Sequence, residues 1–248
     1  MTAIYMLWLR QLKRYFRSRA RIVASLGQPL LFLLALGFGF GPIFQRAGQG
    51  NYIQFLAPGV IGMTILFTAI FSGIELIWDR QFGFLKETLV APVPRILIMI
   101  GRTLGGATVA LFQGFIVVII CFIAGFRVHN ASAIPVALVV MALIAIMFTA
   151  LGTAIASVLA DFQGFQFVMN FLVMPIFFLS GALFPLVGLP TVLNVLATID
   201  PLSYGVDGLR ASLSGAGHFG LTVDLAVLAI LSTIILAIGA RLFSRIQL

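Results

Sequence analysis

The chain has 248 residues, of which 61% are hydrophobic and only 9% charged, whereas soluble domains carry about 25% charged residues. That shortfall excludes a water-facing globular surface, and a mean hydropathy of +1.16 makes lipid the solvent for most of the chain. The formal charge of +8 does not indicate nucleic acid, because the basic residues flank apolar runs and form no basic groove with interleaved aromatics.

The first 21 residues do not form a span. On a helix at about 100° per residue, Ile4, Trp8, Leu12, Tyr15 and Phe16 fall on one side. Arg10, Lys13, Arg14, Arg17 and Arg21 fall opposite, and Arg19 breaks the pattern. This predicts a basic amphipathic helix lying in the interface, its apolar face in lipid and its cations against anionic headgroups. The alternative, a signal-peptide n-region, would be unusually long, and no A-x-A-like site follows the first apolar run.

Six apolar stretches follow, at residues 22–44, 52–78, 98–126, 134–159, 165–184 and 221–243. Each reaches the ~20 residues that a helix needs to cross ~30 Å of hydrocarbon. None has the alternating ~10-residue pattern of barrel strands. The expected fold is all-α and integral to the membrane, a single transmembrane domain over 1–248. With the N-terminus inside, the basic residues inside are the six of the first 21 residues with Arg80, Lys86, Arg95, Arg102, Arg241 and Arg245. Outside are only Arg46, Arg127 and Arg210. This bias sets the orientation, and an even number of spans returns the C-terminus to the cytoplasm.

Two connections are longer than they need to be. The inside segment 79–97, DRQFGFLKETLVAPVPRIL, is charged at one end and closed by Pro92 and Pro94, which predicts a short helix near the membrane surface. The outside segment 185–220 is rich in Leu, Val and Pro and predicts one or two short re-entrant helices dipping into the outer leaflet before the last span. Irregular backbone at that depth is tolerated only where protein or water satisfies it.

Motifs for chemistry are sparse. Gly101-Arg102-Thr103-Leu104-Gly105-Gly106-Ala107-Thr108 lacks the Lys of a phosphate-binding loop and opens a span. Its Gly101 and Gly105, like Gly152 with Ala156, read as small-xxx-small pairs for close helix packing. His129 and His218 sit in outside loops without companion ligand spacing. Cys121 is alone and within an apolar run. Glu75 lies one turn inside the second span and reads as interfacial, and Asp224 lies near the outer end of the last span, within reach of the interface. No charge falls at the midpoint of a span, as ion-coupled transport commonly requires. Pro29, Pro58 and Pro175 fall within or near the ends of spans, where each removes a backbone bond.

Four pieces of sequence carry a resemblance over essentially the full length. They are the basic N-terminal helix entering a span with Gln28-Pro29, YIQFLAPGVIGM over 52–63, and RQFGFLKETLVAPVPR over 80–95. The fourth is the outside region with SGALFP at 180–185, Leu189-Pro190 and DPLSYGVDGLR at 200–210. In this order the chain resembles the membrane-spanning permease subunit of ABC type-2 exporters, the group that includes daunorubicin-resistance and nodulation-factor export permeases. The resemblance implies a plasma-membrane homodimer with two separate cytoplasmic ATPase subunits that bind the ATP and Mg, so that this chain needs no cofactor and is not itself an enzyme. It implies ATPase contact at Arg80, Gly83, Phe84, Leu85, Lys86 and Glu87. It also implies a pathway lined by the first, second and fifth spans, for which Phe67, Phe71, Phe171 and Phe178 are candidates. An outer gate would use Phe184, Pro185, Pro201 and Tyr204, and the apolar, aromatic walls suit an amphiphilic or lipid-like cargo. An ion-coupled secondary transporter or channel is the alternative, followed by a lipid-modifying membrane enzyme and a scaffold.

Overall fold

A computed structural model describes residues 2–46, 50–90, 92–159 and 161–246. Among these residues no strand occurs, and the elements in order are α1 (Thr2–Arg17), α2 (Arg19–Arg46), α3 (Tyr52–Phe71), α4 (Ile74–Gln81), α5 (Phe84–Val90) and α6 (Arg95–Ile123). A short 3₁₀ turn (Ala131–Ala133) then leads into α7 (Ile134–Val158), α8 (Phe162–Leu179), α9 (Thr191–Ile199), α10 (Pro201–Ser214) and α11 (Leu221–Ser244). Six segments are long and apolar enough to cross a bilayer: Ile22–Arg46, Tyr52–Gln81, Arg95–Ile123, Ala131–Val158, Phe162–Leu179 and Leu221–Ser244. The all-α membrane architecture with six spans is therefore observed.

Local chemistry sets the ends of these helices. Pro94 precedes α6 in an extended conformation, so the helix begins at Arg95, where the apolar pattern alone suggests 98. Gly125 at φ +105 ends the helical path before Phe126. The fifth span starts earlier than its apolar run because the Asp161 carboxylate accepts the Gly164 N–H at 2.6 Å and caps α8. It ends at Ser180, with Gly181 at φ +70. Helices continue through Pro29, Pro58 and Pro175.

The second apolar run, read as one helix, is two. Ser72 and Gly73 interrupt it, and there the backbone of Gly73 meets that of Gly152 in α7 so closely that neither position has room for a side chain. α3 is the central helix, buried from Leu56 to Leu66 and packed by α2, α6, α7 and α10. α2, α8 and α11 form the periphery and keep large apolar side chains exposed.

α1 runs along α6. Gly101 and Gly105 of α6 admit Ile4, Leu7 and Gln11 at close range, so the small-xxx-small pair does serve helix packing. Trp8 Nε1 donates to Thr108 Oγ1 at 3.0 Å, and the Tyr15 hydroxyl pairs with Gln113. Contact thus extends over roughly 18 Å of α6 at ~1.5 Å per residue. The face expected in lipid therefore rests largely on protein. The Arg21 side chain lies outside the described residues.

Candidate functional site

The basic end of the bundle is organised around α4. Three consecutive residues of this short helix each hold different neighbours, because successive positions on a helix point about 100° apart. The Trp78 ring stacks on Phe162 at the start of α8, with centroids 6.5 Å apart and planes 9° apart. Asp79 points toward α1 and α6: its carboxylate takes Arg10 at 3.0 and 3.4 Å and the buried Arg102 guanidinium, with Arg14 at 3.6 Å. Arg80 points toward α7, where its two terminal nitrogens donate to Ser157 O and Leu159 O, both at 3.0 Å. Those carbonyls belong to the last turn of α7, where intrahelical partners run out, and a cation also suits the negative end of the helix dipole.

Glu75, one turn earlier, faces Arg14 at 3.7 Å. Glu75 and Asp79 are spaced i, i+4 on α4, as Arg10 and Arg14 are on α1, so two ion-pairing ladders meet. Burial of Asp79 and Arg102 costs desolvation energy that mutual pairing must offset, and removing one partner from such a pair costs about 3–5 kcal/mol. The sequence held a signal for this cluster in the matched i, i+4 spacings. What it lacked was any indication that residues about 70 positions apart meet.

Gly83 at φ +78 turns the chain from α4 into α5, a conformation glycine adopts without strain. α5 is then fixed on one side and free on the other. Leu85 is fully buried, whereas Lys86 and Glu87 are exposed. The Arg10 guanidinium lies 3.7 Å over the Phe84 ring, so one arginine touches both α5 and Asp79. Phe82, which the sequence reading passed over, is 82% exposed beside them. Of the six residues expected to meet an ATPase, Arg80 and Leu85 thus point into the bundle, and Lys86, Glu87 and part of Phe84 point outward. Arg95 also acts inward, donating to Ser244 O at 2.7 Å and Ile246 O at 2.9 Å at the end of α11.

Phe67 and Phe71 stack on one another at 6.2 Å and line a cavity of about 380 Å³ between α1, α2, α3, α4 and α6. Phe171 and Phe178 are not in it: both lie on the exposed face of α8. Phe177, one residue before Phe178, faces inward and touches Phe67 and Phe32.

At the far end, α9 and α10 form the two short helices expected before the last span. Asp200 ends α9 and caps α10, accepting the Leu202 N–H at 3.0 Å, with Pro201 as the first residue of α10. Burial pushes the Asp200 carboxyl up to about 7, against the lowering effect of its hydrogen bonds from Leu202 and Ser203. The Tyr204 hydroxyl donates to Thr198 O at 2.8 Å and ties the two helices together. Phe184 and Pro185 are half-buried in the turn after α8, where Leu183 O accepts the Tyr52 hydroxyl at 3.0 Å. Arg210 donates to Gly181 O at 2.9 Å and sits 4.1 Å over the Phe55 ring. Its burial lowers it to about 10, opposed by Asp207, so it is charged at neutral pH. His218 enters this network through its backbone N–H, which donates to Asp207. Asp224 does not reach the interface: it is fully buried, and its Cβ lies against Gly208 where α10 covers α11.

The chain is thus a multi-pass helical bundle with a short helix anchored at its basic end and a helix pair packed into the other end. Residues 2–214 match the ABC-2 type transporter family, and the chain belongs to that family. It is 27% identical to nodulation protein J of Rhizobium leguminosarum bv. viciae, over 91% of this chain and 87% of that protein. It is 32% identical to the putative transport permease ycf38 of Porphyra purpurea, over 79% and 68%. It is also 27% identical to the inner membrane transport permease YadH of Escherichia coli K12, over 92% and 89%. The family implies association with an ABC ATPase.

Proposed function

We propose that this chain is the membrane core of an exporter in the plasma membrane, working as a homodimer and driven by ATP that two cytoplasmic partner subunits bind with Mg and hydrolyse. The basic end would be cytoplasmic, with both termini there and α1 at the headgroup level. Lys13 and Arg17, exposed on α1, would meet anionic lipid. The cargo would be amphiphilic or lipid-like, in keeping with aromatic and apolar walls.

The observation that carries this reading is the division of α4–α5. Lys86, Glu87 and Phe82 point away from the bundle, while Trp78, Asp79 and Arg80 of the same segment hold four helices. A partner pushing on the outward residues would move the inward ones. A double charge reversal, K86E with E87K, tests it. Loss of co-purification with the partner ATPase and of ATPase stimulation is expected, with the permease still folded. Unchanged binding and stimulation would overturn the docking assignment. Transport by this chain alone in liposomes, driven by an ion gradient, would overturn the ATP-driven reading in favour of a secondary transporter.

A further inference from the structure

The cavity of about 380 Å³ lies beside the break between α3 and α4. On one side of that break, Gly73 is pressed against Gly152. On the other side is the space itself, with Phe67, Thr68 and Phe71 of α3 and Glu75 and Trp78 of α4 in its wall. Whatever fills it therefore touches both helices at once. The volume is many times that of one water and falls in the range of ligand pockets, ~300–1,000 Å³.

The lining defines the occupant by chemistry. Gln11 and Gln28 offer amides and Thr68 a hydroxyl, while the hydroxyls of Tyr15, Ser25, Thr64 and Ser72 already bond to Gln113, Ile22 O, Val60 O and Ala69 O. Apart from Glu75, the rest of the lining is apolar and aromatic. Its one charged group among the described residues, Glu75, already faces Arg14 at 3.7 Å. Among the described residues no lysine or arginine lines the cavity, so a multiply charged anion finds no partner among them. Scattered uncharged hydrogen-bonding groups on an aromatic wall suit a molecule with an apolar body and an uncharged polar head.

We propose that this cavity, within a single subunit, binds a neutral amphiphile, and that its occupancy is linked to the angle between α3 and α4. An occupant wedged between Phe67 and Trp78 has different contacts at each angle, so it favours one of them. By reciprocity, a force that moves α4 changes the affinity of the cavity by the same factor. The linkage rests on the ATP-driven reading above, whereas the binding site does not.

The chain contains two tryptophans, Trp8 and Trp78, so W8F leaves Trp78 as sole reporter in the cavity wall. The W8F protein in phosphatidylcholine nanodiscs is titrated with a bromoalkyl glucoside, whose bromine quenches indole on contact. Saturable quenching is expected. T68F and Q28F, which fill the cavity from α3 and from α2, should each weaken it about tenfold with the thermal midpoint of W8F retained. Quenching that rises in proportion to the probe in the lipid, or that is as strong in both filled variants as in W8F, overturns the site. Adding the partner ATPase with a non-hydrolysable ATP analogue should shift half-saturation several-fold. An unchanged half-saturation with the ATPase bound overturns the linkage. Failure of the ATPase to bind sinks the ATP-driven reading and the linkage with it, while the site stands or falls on the first titration.

Discussion

Arg80 shows how one side chain at the edge of the proposed docking segment is committed elsewhere. Its two hydrogen bonds to Ser157 O and Leu159 O close the end of α7, and charge-assisted bonds of this kind contribute about 1.5–3 kcal/mol together with the carbonyls they satisfy. R80A is therefore expected to lower the thermal midpoint in detergent by an amount corresponding to about 1–3 kcal/mol. R80K restores little, since an ammonium cannot reproduce the fork. Binding of the partner ATPase to the variant at a temperature where it is folded should be near that of the parent, in contrast to the reversal at Lys86 and Glu87. A loss of binding without loss of stability would return Arg80 to the contact surface.

At the scale of elements, the break after α3 and the placement of α1 are what the structure adds. Apolar length made the spans legible, since lipid demands long hydrophobic helices whatever they pack against. Caps such as Asp161 and stops such as Gly125 moved the ends by a few residues. The break was illegible because its cause lies across the bundle, in the meeting of Gly73 with Gly152. G152A places a methyl against the backbone of Ile70, and such overpacking costs about 1–3 kcal/mol. It should lower the thermal midpoint and make the α4–α5 segment more susceptible to limited proteolysis, because α4 loses its brace. An unaltered proteolysis pattern would show that the close approach does not hold α4. The partner of α1 was hidden for the same reason. Trp8 and Tyr15 read as lipid-facing by periodicity, yet they bond to Thr108 and Gln113, about a hundred residues away.

For the whole molecule, the orientation we propose rests on where cations gather. Arg10, Arg14, Arg80, Arg95 and Arg102 converge at one end around α4 and the end of α11, and cytoplasmic loops carry the Lys and Arg excess. The one cysteine, Cys121, is fully buried, so C121S provides a background for labelling. K86C should react with a membrane-impermeant maleimide only in inverted vesicles, and V187C, at an exposed position near the other end, only in right-side-out ones. The reverse pattern would invert the topology. The candidate site was legible in part: Lys86 and Glu87 stand out as charges in an apolar chain, whereas the inward duties of Arg80 and Leu85 depend on what faces them.

The three-way grip of Trp78, Asp79 and Arg80 also constrains how this chain can vary by descent. Inserting or deleting one residue in α4 turns everything beyond it by about 100° and delivers each of the three side chains to the wrong neighbour at once. No single substitution elsewhere repairs three side chains whose partners belong to four helices. Exposed Lys86 and Glu87 carry no such debt and, on the docking we propose, are free to change with the ATPase. On that docking proposal, lineages of this permease can exchange partners by substitution along α5, while the length of α4 stays locked.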